Sequence, residues 1–368
     1  MSEIIKVNND KDSYDIFIEK DFSRLADKLS SAGITAESRI CISTDSSVDS
    51  LYSEEVCDLL RKKYGTVVKF VFPEGEKSKS LDTVRELYRF LIENHFDRHD
   101  CLAALGGGVT GDMTGFAAAT YMRGIRFVQI PTTLLSCTDS SIGGKTGVDF
   151  DEYKNMVGAF HMPSLVYINL SCLTSLTARQ FACGMGEVIK HGLIRDEDYY
   201  EWLVNNFSEI NDRDIDTLEK MIKRSLEIKR DIVEKDPFEN GDRALLNFGH
   251  TIGHAIEKYM DFRLMHGECV ALGCIAACWI SYRREQLSTE EFYEIRDMFL
   301  PFFLPITLPD DADADKILSL TKSDKKMTGN KIRFILLKKV GKAYADMTVT
   351  DEEILDAVKQ LIITDEGE

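Results

Sequence analysis

Through the first half of the chain, short β-branched runs alternate with amphipathic segments, and that alternation restricts the fold more than any other feature. The runs are Arg39 to Thr44, Val67 to Phe72, Cys101 to Leu105, Arg126 to Ile130 and Ser164 to Leu170. Between them, Val48 to Lys63, Leu81 to Asn94 and Asp112 to Met122 carry apolar residues three and four apart, the period of a helix with one buried face. A βαβα order predicts a mostly parallel sheet with covering helices. From about Thr177 strands nearly vanish and helical periodicity takes over, through Thr177 to Asn205, Ile215 to Val233, Thr251 to Tyr259 and Cys269 to Arg284. Thr177 and Gln180 have the spacing of a capping box. Lys331 to Lys338 reads as a late strand. The expected architecture is α/β plus all-α: a Rossmann-like nucleotide-binding domain over residues 1–171, then a mainly helical domain over 172–368.

Composition closes off several classes. At 44% apolar and 29% charged residues, with no apolar run near the roughly 20 residues a spanning helix needs, the chain reads as globular and not membrane-embedded. A net charge of -17 argues against nonspecific nucleic-acid binding, which needs a surplus of clustered cations. No secretory signal opens the sequence, and the nine cysteines form no CxxC pair, so reduced core thiols and a cytoplasmic location are expected.

Gly106-Gly107-Gly108-Val109-Thr110-Gly111 satisfies G-x-G-x-x-G directly after a strand candidate and before a helix candidate, where backbone amides cradle a pyrophosphate. The acidic residue that closes the standard fingerprint is missing after the next strand, which ends in Pro131-Thr132-Thr133. Asp45, at the end of an earlier strand, is a substitute ribose contact, and the alternative is a ligand-free turn with a solvated aspartate. Gly143-Gly144-Lys145-Thr146 fails as a phosphate loop because Asp139 stands where the first glycine belongs.

Four of the seven histidines fall in a glutamate-rich part: His191, His250, His254 and His266. His250 and His254 at i and i+4 share a helix face, so spacing alone favours them as a ligand pair, with Glu187, Glu257 or Glu268 as third ligand. Taken singly, each also fits a satisfied core histidine or a solvated carboxylate. Lys229 lands on the apolar stripe of Ile222, Leu226 and Val233, which makes it a candidate buried ammonium.

Gly75-Glu76-Lys77-Ser78-Lys79, Leu105 to Asp112, Pro131 to Lys145, Lys154-Asn155, Gly186 to Lys190 and Asn247 to Glu257 occur in the order and spacing that resemble the 3-dehydroquinate synthase family, from about Phe72 to His266. The resemblance implies a first domain that binds NAD and a second that holds zinc or cobalt through Glu187, His250 and His266, with His254 moved to the substrate phosphate. It places Asp45, Glu76, Lys79, Gly107, Gly108, Val109, Asp112, Thr132, Thr133, Lys145 and Lys154 at NAD. Lys145, Asn155, Asn247, His254 and one of Lys325 or Lys326 would meet the phosphate, with Lys154 also near substrate and Arg123 reaching in from a second subunit of a homodimer. Asp139, Lys190, Lys229 and Arg243 would contact the carbocycle and carboxylate, and Glu239 would join the acid–base network. Two departures from the family pattern are Tyr153, where a glycine is usual, and Asp242, where an apolar residue is usual. The implied activity converts 3-deoxy-D-arabino-heptulosonate 7-phosphate, a small anionic sugar phosphate, to 3-dehydroquinate. The rivals are another sugar-phosphate cyclase of inosose or valiolone type, a metal-dependent polyol dehydrogenase, and a silent nucleotide-binding protein.

Overall fold

A computed structural model describes residues 3–8, 13–151, 153–239, 241–322, 327–328 and 331–362. The chain divides into two compact units, Met1–Leu176 with Leu218–Arg230, and Thr177–Thr217 with Asp231–Glu368. The sequence expectation has a single break after 171; in the structure the middle of one long helix returns to the first unit.

The first unit is built on a seven-stranded sheet. Its strands are β1 (Glu3–Val7), β2 (Tyr14–Glu19), β3 (Ile40–Asp45), β4 (Val67–Phe72), β5 (Cys101–Gly106), β6 (Arg126–Pro131) and, after a separate hairpin of β7 (Lys145–Phe150) and β8 (Tyr153–Phe160), β9 (Leu165–Asn169). The order is β1-β2-β9-β6-β5-β3-β4, antiparallel only between β1 and β2. Alternate residues of one strand serve opposite faces. Ile40, Ile42 and Leu105 join Leu25, Val56 and Leu60 on one side, while Cys41 and Leu102 join Leu87, Met113 and Phe116 on the other. A sheet covered on both faces needs apolar residues at every strand position, which is why these strands read as continuous runs.

The helices of this unit include α1 (Leu25–Ser31), α2 (Glu54–Arg61), α3 (Leu81–Glu93) and α4 (Gly108–Thr120). Helix α4 starts at Gly108, four residues before the expected Asp112, because the glycines themselves enter the first turn. The hairpin β7–β8 is absent from the sequence expectation; it has only two strands and exposes alternate residues, so it lacks the apolar density of the sheet.

The second unit is mainly helical: α5 (Ala178–Arg195), α6 (Glu197–Asn205), the ends of α7 (Ile215–Lys235), α8 (His250–Tyr259), α9 (His266–Arg283), α10 (Thr289–Asp297), α11 (Ala314–Thr321) and α12 (Asp351–Ile362). Thr177 and Gln180 do form a capping box on α5. The expected single helix from Thr177 to Asn205 is two, because the Asp196 side chain accepts the Tyr199 N–H at 3.1 Å and starts α6 afresh. The late strand Phe334–Lys339 pairs with Lys342–Asp346. No helix among the described residues is long and apolar enough to cross a membrane.

Candidate functional site

In the first unit the glycine loop joins β5 to α4. Gly107 caps the helix, so the first amides of a 13-residue helix point away from its body, the arrangement that attracts an anion. Two glycines are forced by packing: a Cβ on Gly106 would lie 2.4 Å from Thr110 Oγ1, and one on Gly111 would lie 2.6 Å from Gln129 Oε1 of β6. Gly107 and Gly108 lie beside Thr133 and Ser140, with Val109 partly buried. Thr132 donates its N–H to Gly106 O at 3.0 Å, and Thr133 Oγ1 shares a 2.8 Å hydrogen bond with Ser136.

Asp45 faces this loop. Its Oδ1 accepts the amides of Ser47 and Val48 at 3.0 Å, and its Oδ2 lies 3.5 Å from Thr110 Oγ1. Lys79, 5% exposed, donates to Asp112 Oδ2 at 2.7 Å and to Asn155 Oδ1 at 2.6 Å. Burial alone would lower the Lys79 pKa, but the Asp112 and Glu76 carboxylates raise it. Lys154 lies 3.7 Å from Glu76. Tyr153 pairs with Phe150 and is not among the left-handed residues, so no glycine is needed there; among the described residues of this turn the left-handed positions are Asp151 and Asn155.

Lys145 opens β7 as an exposed residue, which confirms that Gly143-Gly144-Lys145-Thr146 does not lead into a helix as a phosphate loop would. Lys229 is 5% exposed and donates to both the carbonyl and the Oδ1 of Asp139, each at 2.6 Å. Arg123 is exposed, with φ +69°.

In the second unit Glu187, His250 and His266 bring ligand atoms within 4.8 Å of one another. Glu187 is fully buried on α5, and its Oε1 lies 3.3 Å from His250 Nε2 and 3.5 Å from His266 Nε2. Zinc bonds of ~2.0–2.1 Å put neighbouring donors of a tetrahedron about 3.4 Å apart, so the spacing matches a metal's coordination edge. Chemistry agrees. His250 Nδ1 faces the Phe248 carbonyl at 3.0 Å; that oxygen only accepts, so a neutral ring keeps its proton on Nδ1 and turns a lone pair toward Glu187. Glu187 Oε1 has no well-aligned hydrogen-bond donor among the described residues, and Oε2 faces the Lys190 ammonium. With His250 neutral, a divalent cation between the two groups would take a lone pair from each across that 3.3 Å gap. The residues present fit a divalent metal.

The Lys190 ammonium pairs with Glu187 Oε2 and donates to Leu246 O at 2.7 Å. Burial would raise the Glu187 pKa, but Lys190 and His250 reverse that and hold it well below the usual carboxylate range. For His266, burial would lower the pKa, while Glu187 and Glu257 lift it to about 9. The folded-state pKa is raised, so in metal-free protein the ring is protonated below about pH 9 and must lose that proton to bind metal. Zinc binding at pH 7.5 should therefore release about one proton, and affinity should rise about tenfold per pH unit up to about pH 9. Calorimetry in two buffers of different ionisation enthalpy counts the proton; zero release would contradict the ligand assignment.

The i, i+4 pair that spacing favours falls into two different clusters, His250 with Glu187 and His266, and His254 with Glu257 and His266. His254 approaches His250, with ring centroids 5.2 Å apart, but groups with Glu257 and His266 instead of Glu187. Glu268 is removed from the ligand candidates because Arg179 grips both its oxygens at 2.7 Å and the Met265 N–H donates to it. Glu187, His250 and His266 meet because three helices touch through glycine. Cβ atoms on Gly186, beside Glu187, and on Gly267, beside His266, would lie 2.5 Å from Gly267 O and 1.8 Å from Cys183 O. Gly249, beside His250, takes φ +77° at the start of α8.

The turn before α8 carries the remaining polar groups. Asn247 Nδ2 donates to Glu239 Oε1 at 2.6 Å, and buried Arg243 donates its backbone N–H to Asp236 Oδ2 at 3.0 Å. Asp236 also accepts the Gly241 N–H at 2.6 Å, which fixes the turn and leaves Asp242 exposed, so the polar residue costs nothing there. Sequence reasoning missed Asp236; its one signal is an aspartate just past a helix end. Lys325 and Lys326 lie outside the described residues.

A doubly covered parallel sheet with a glycine loop, and a helical unit with a Glu–His–His set, define the class of two-part α/β enzymes that join a nucleotide loop to a helical metal centre. Residues 69–183 match the family model described as 3-dehydroquinate synthase N-terminal, and 184–327 the one described as its C-terminal part. The 3-dehydroquinate synthase of Acetivibrio thermocellus is 43% identical over 96% of this chain and 98% of its own, and that of a Shewanella species is 41% identical over 93% and 95%. The chain belongs to the 3-dehydroquinate synthase family. Among solved structures, 2-deoxy-scyllo-inosose synthase with carbaglucose-6-phosphate, NAD+ and Co2+ has a TM-score of 0.88 at 25% identity, over 97% of this chain and 100% of the other. The valiolone synthase of Streptomyces hygroscopicus with NAD+ and Zn2+ scores 0.87 at 28%, over 96% and 98%. A glycerol dehydrogenase from Schizosaccharomyces pombe, 18% identical with TM-score 0.68 over 94% of this chain and 87% of its own, shares the fold alone.

Proposed function

We infer that the chain converts 3-deoxy-D-arabino-heptulosonate 7-phosphate to 3-dehydroquinate and inorganic phosphate, by oxidation, phosphate elimination, reduction, ring opening and aldol closure. The observation that carries this reading is the Glu187–His250–His266 set, with Lys190, Arg243 and Asn247 from the same unit, in a chain 43% identical to a named synthase. Identity of 39–43% to four such synthases, against 25–28% to the inosose and valiolone enzymes, favours it over those rings.

Bound NAD would supply reversible hydride acceptance, and a divalent metal would supply Lewis acidity that lowers the pKa of a substrate hydroxyl. Glu187, His250 and His266 would hold the metal; Asp45, Glu76, Lys79, Gly107, Gly108, Val109, Asp112, Thr132 and Thr133 would line the NAD site. Lys145, Asn155, Asn247, His254 and one of Lys325 or Lys326 would hold the phosphate, Lys154 would lie near substrate and NAD, and Arg123 would reach in from a second subunit of a homodimer. Lys190, Lys229 and Arg243 would balance carboxylate and phosphate charge, which lets an acidic chain bind a polyanion. Asp139 keeps Lys229 in place, and Glu239 accepts from the Asn247 amide, which would fix that amide and place a carboxylate for proton transfer. Nine buried cysteine thiols suit work in a reducing cytoplasm.

The test is zinc-loaded protein with the heptulosonate phosphate and NAD at one hundredth of the substrate. Phosphate and dehydroquinate should form in equal amounts, far beyond the NAD supplied, with no NADH accumulating. No phosphate release would overturn the reading, and NADH formed stoichiometrically from a simple polyol would replace it with a dehydrogenase.

A further inference from the structure

The hairpin β7–β8 carries a network among Lys79, Asp149 and Asn155 that assigns a role to a residue so far without one. A register shift between Val148 and Phe150 takes Asp149 out of the β7–β8 ladder. Its backbone turns to the Lys79 segment instead: the Asp149 N–H donates to Lys79 O at 2.9 Å, and Asp149 bridges to Ser80. Its side chain reaches across the hairpin turn, where Oδ1 accepts the Asn155 N–H at 2.8 Å. Asn155 has φ +53°, a left-handed conformation that asparagine tolerates better than most residues but that still needs local hydrogen bonding to hold it.

The orientation of the Asn155 amide then follows from donor and acceptor inventory. Lys79 Nζ lies 2.6 Å from Asn155 Oδ1, and an ammonium can only donate, so the oxygen must face Lys79. The amide NH2 is left to face elsewhere, on a side chain that is exposed. Lys79 is itself held by Asp112 of α4 at 2.7 Å, so one buried cation ties the helix after the glycine loop to the hairpin.

We propose that Asp149 is a positioning residue: by holding the Asn155 turn it presents the Asn155 amide as a donor, not an acceptor, to the phosphate of the substrate. The proposal rests on the assignment of Asn155 to that phosphate. Asp149 touches no substrate; it acts through the backbone of Asn155 and through the Lys79 segment.

The test compares Asp149→Ala and Asp149→Asn with the wild-type protein. The alanine variant loses the acceptor, and the KM for the heptulosonate phosphate should rise three- to tenfold with kcat within twofold, the range expected for one hydrogen bond. The asparagine variant keeps an Oδ1 acceptor but removes the charge, and its KM should return to within twofold of wild type, which separates geometry from electrostatics. Amide hydrogen exchange in a peptide spanning 153–160 should be faster in the alanine variant and unchanged in the asparagine one. A KM within twofold for alanine, or an asparagine variant as impaired as alanine, overturns the proposal. Wild-type protein that releases no phosphate sinks the activity assignment instead; the exchange rates, which need no turnover, then decide the brace by themselves, with equal rates in all three proteins overturning it.

Discussion

Alanine at His266 should yield a folded protein that retains no zinc after dialysis and has lost at least about 10³-fold in turnover, whereas alanine at His254 should keep the metal. The first loss reflects the several kcal/mol that a metal contributes to stabilising developing charge. Both histidines neighbour His250, with ring centroids 5.5 and 5.2 Å away, so proximity does not separate them. What separates them is direction. His266 Nε2 approaches Glu187 Oε1 at 3.5 Å, while His254 groups with Glu257 and His266. The His254 variant should then show its defect in the KM for the phosphate-bearing substrate. Metal analysis of both purified proteins, beside activity, gives the answer; a metal-free His254 variant with a metal-loaded His266 variant would restore the i, i+4 ligand pair.

That contrast also marks how far the sequence could be read. Strands in the covered sheet were legible because burial on both faces demands unbroken apolar runs, and β3 to β6 begin or end within a residue of their expected bounds. The capping box at Thr177 was legible because it is local. The β7–β8 hairpin was not, since its strands mix lysine, asparagine and glycine with exposed apolar residues and so show neither an unbroken apolar run nor a regular alternation. In the metal set, His250 was visible from spacing. The grouping of His266 with Glu187 and His250 was not, because it joins residues of three helices and no period within one helix encodes it; only the family resemblance proposed it. The demotion of Glu268 likewise depends on Arg179, 89 positions away. Local chemistry was readable, and which distant groups it meets was not.

A single methyl group on Gly267 should damage the metal centre almost as severely as deleting a ligand. Gly267 follows His266 in the first turn of α9, and its N–H donates to Cys183 Sγ of α5 at 3.2 Å. A Cβ there would lie 1.8 Å from Cys183 O and 2.5 Å from its carbonyl carbon, so the two helices must separate by more than about 1 Å to reach any tolerated contact. Those helices hold His266 and Glu187, and metal ligands tolerate only about 0.2 Å of error. Gly267→Ala should therefore lower zinc affinity at least about 100-fold although every ligand remains, and cost about 1–3 kcal/mol of stability through overpacking. Gly65→Ala, where a Cβ meets nothing within 4 Å, is the control and should leave both quantities unchanged. Zinc affinity measured by competition with a chelating dye, alongside thermal unfolding, distinguishes the outcomes. Wild-type affinity in the Gly267 variant would mean that the helices can part without moving the ligands, and the backbone contact would then not be what sets the site.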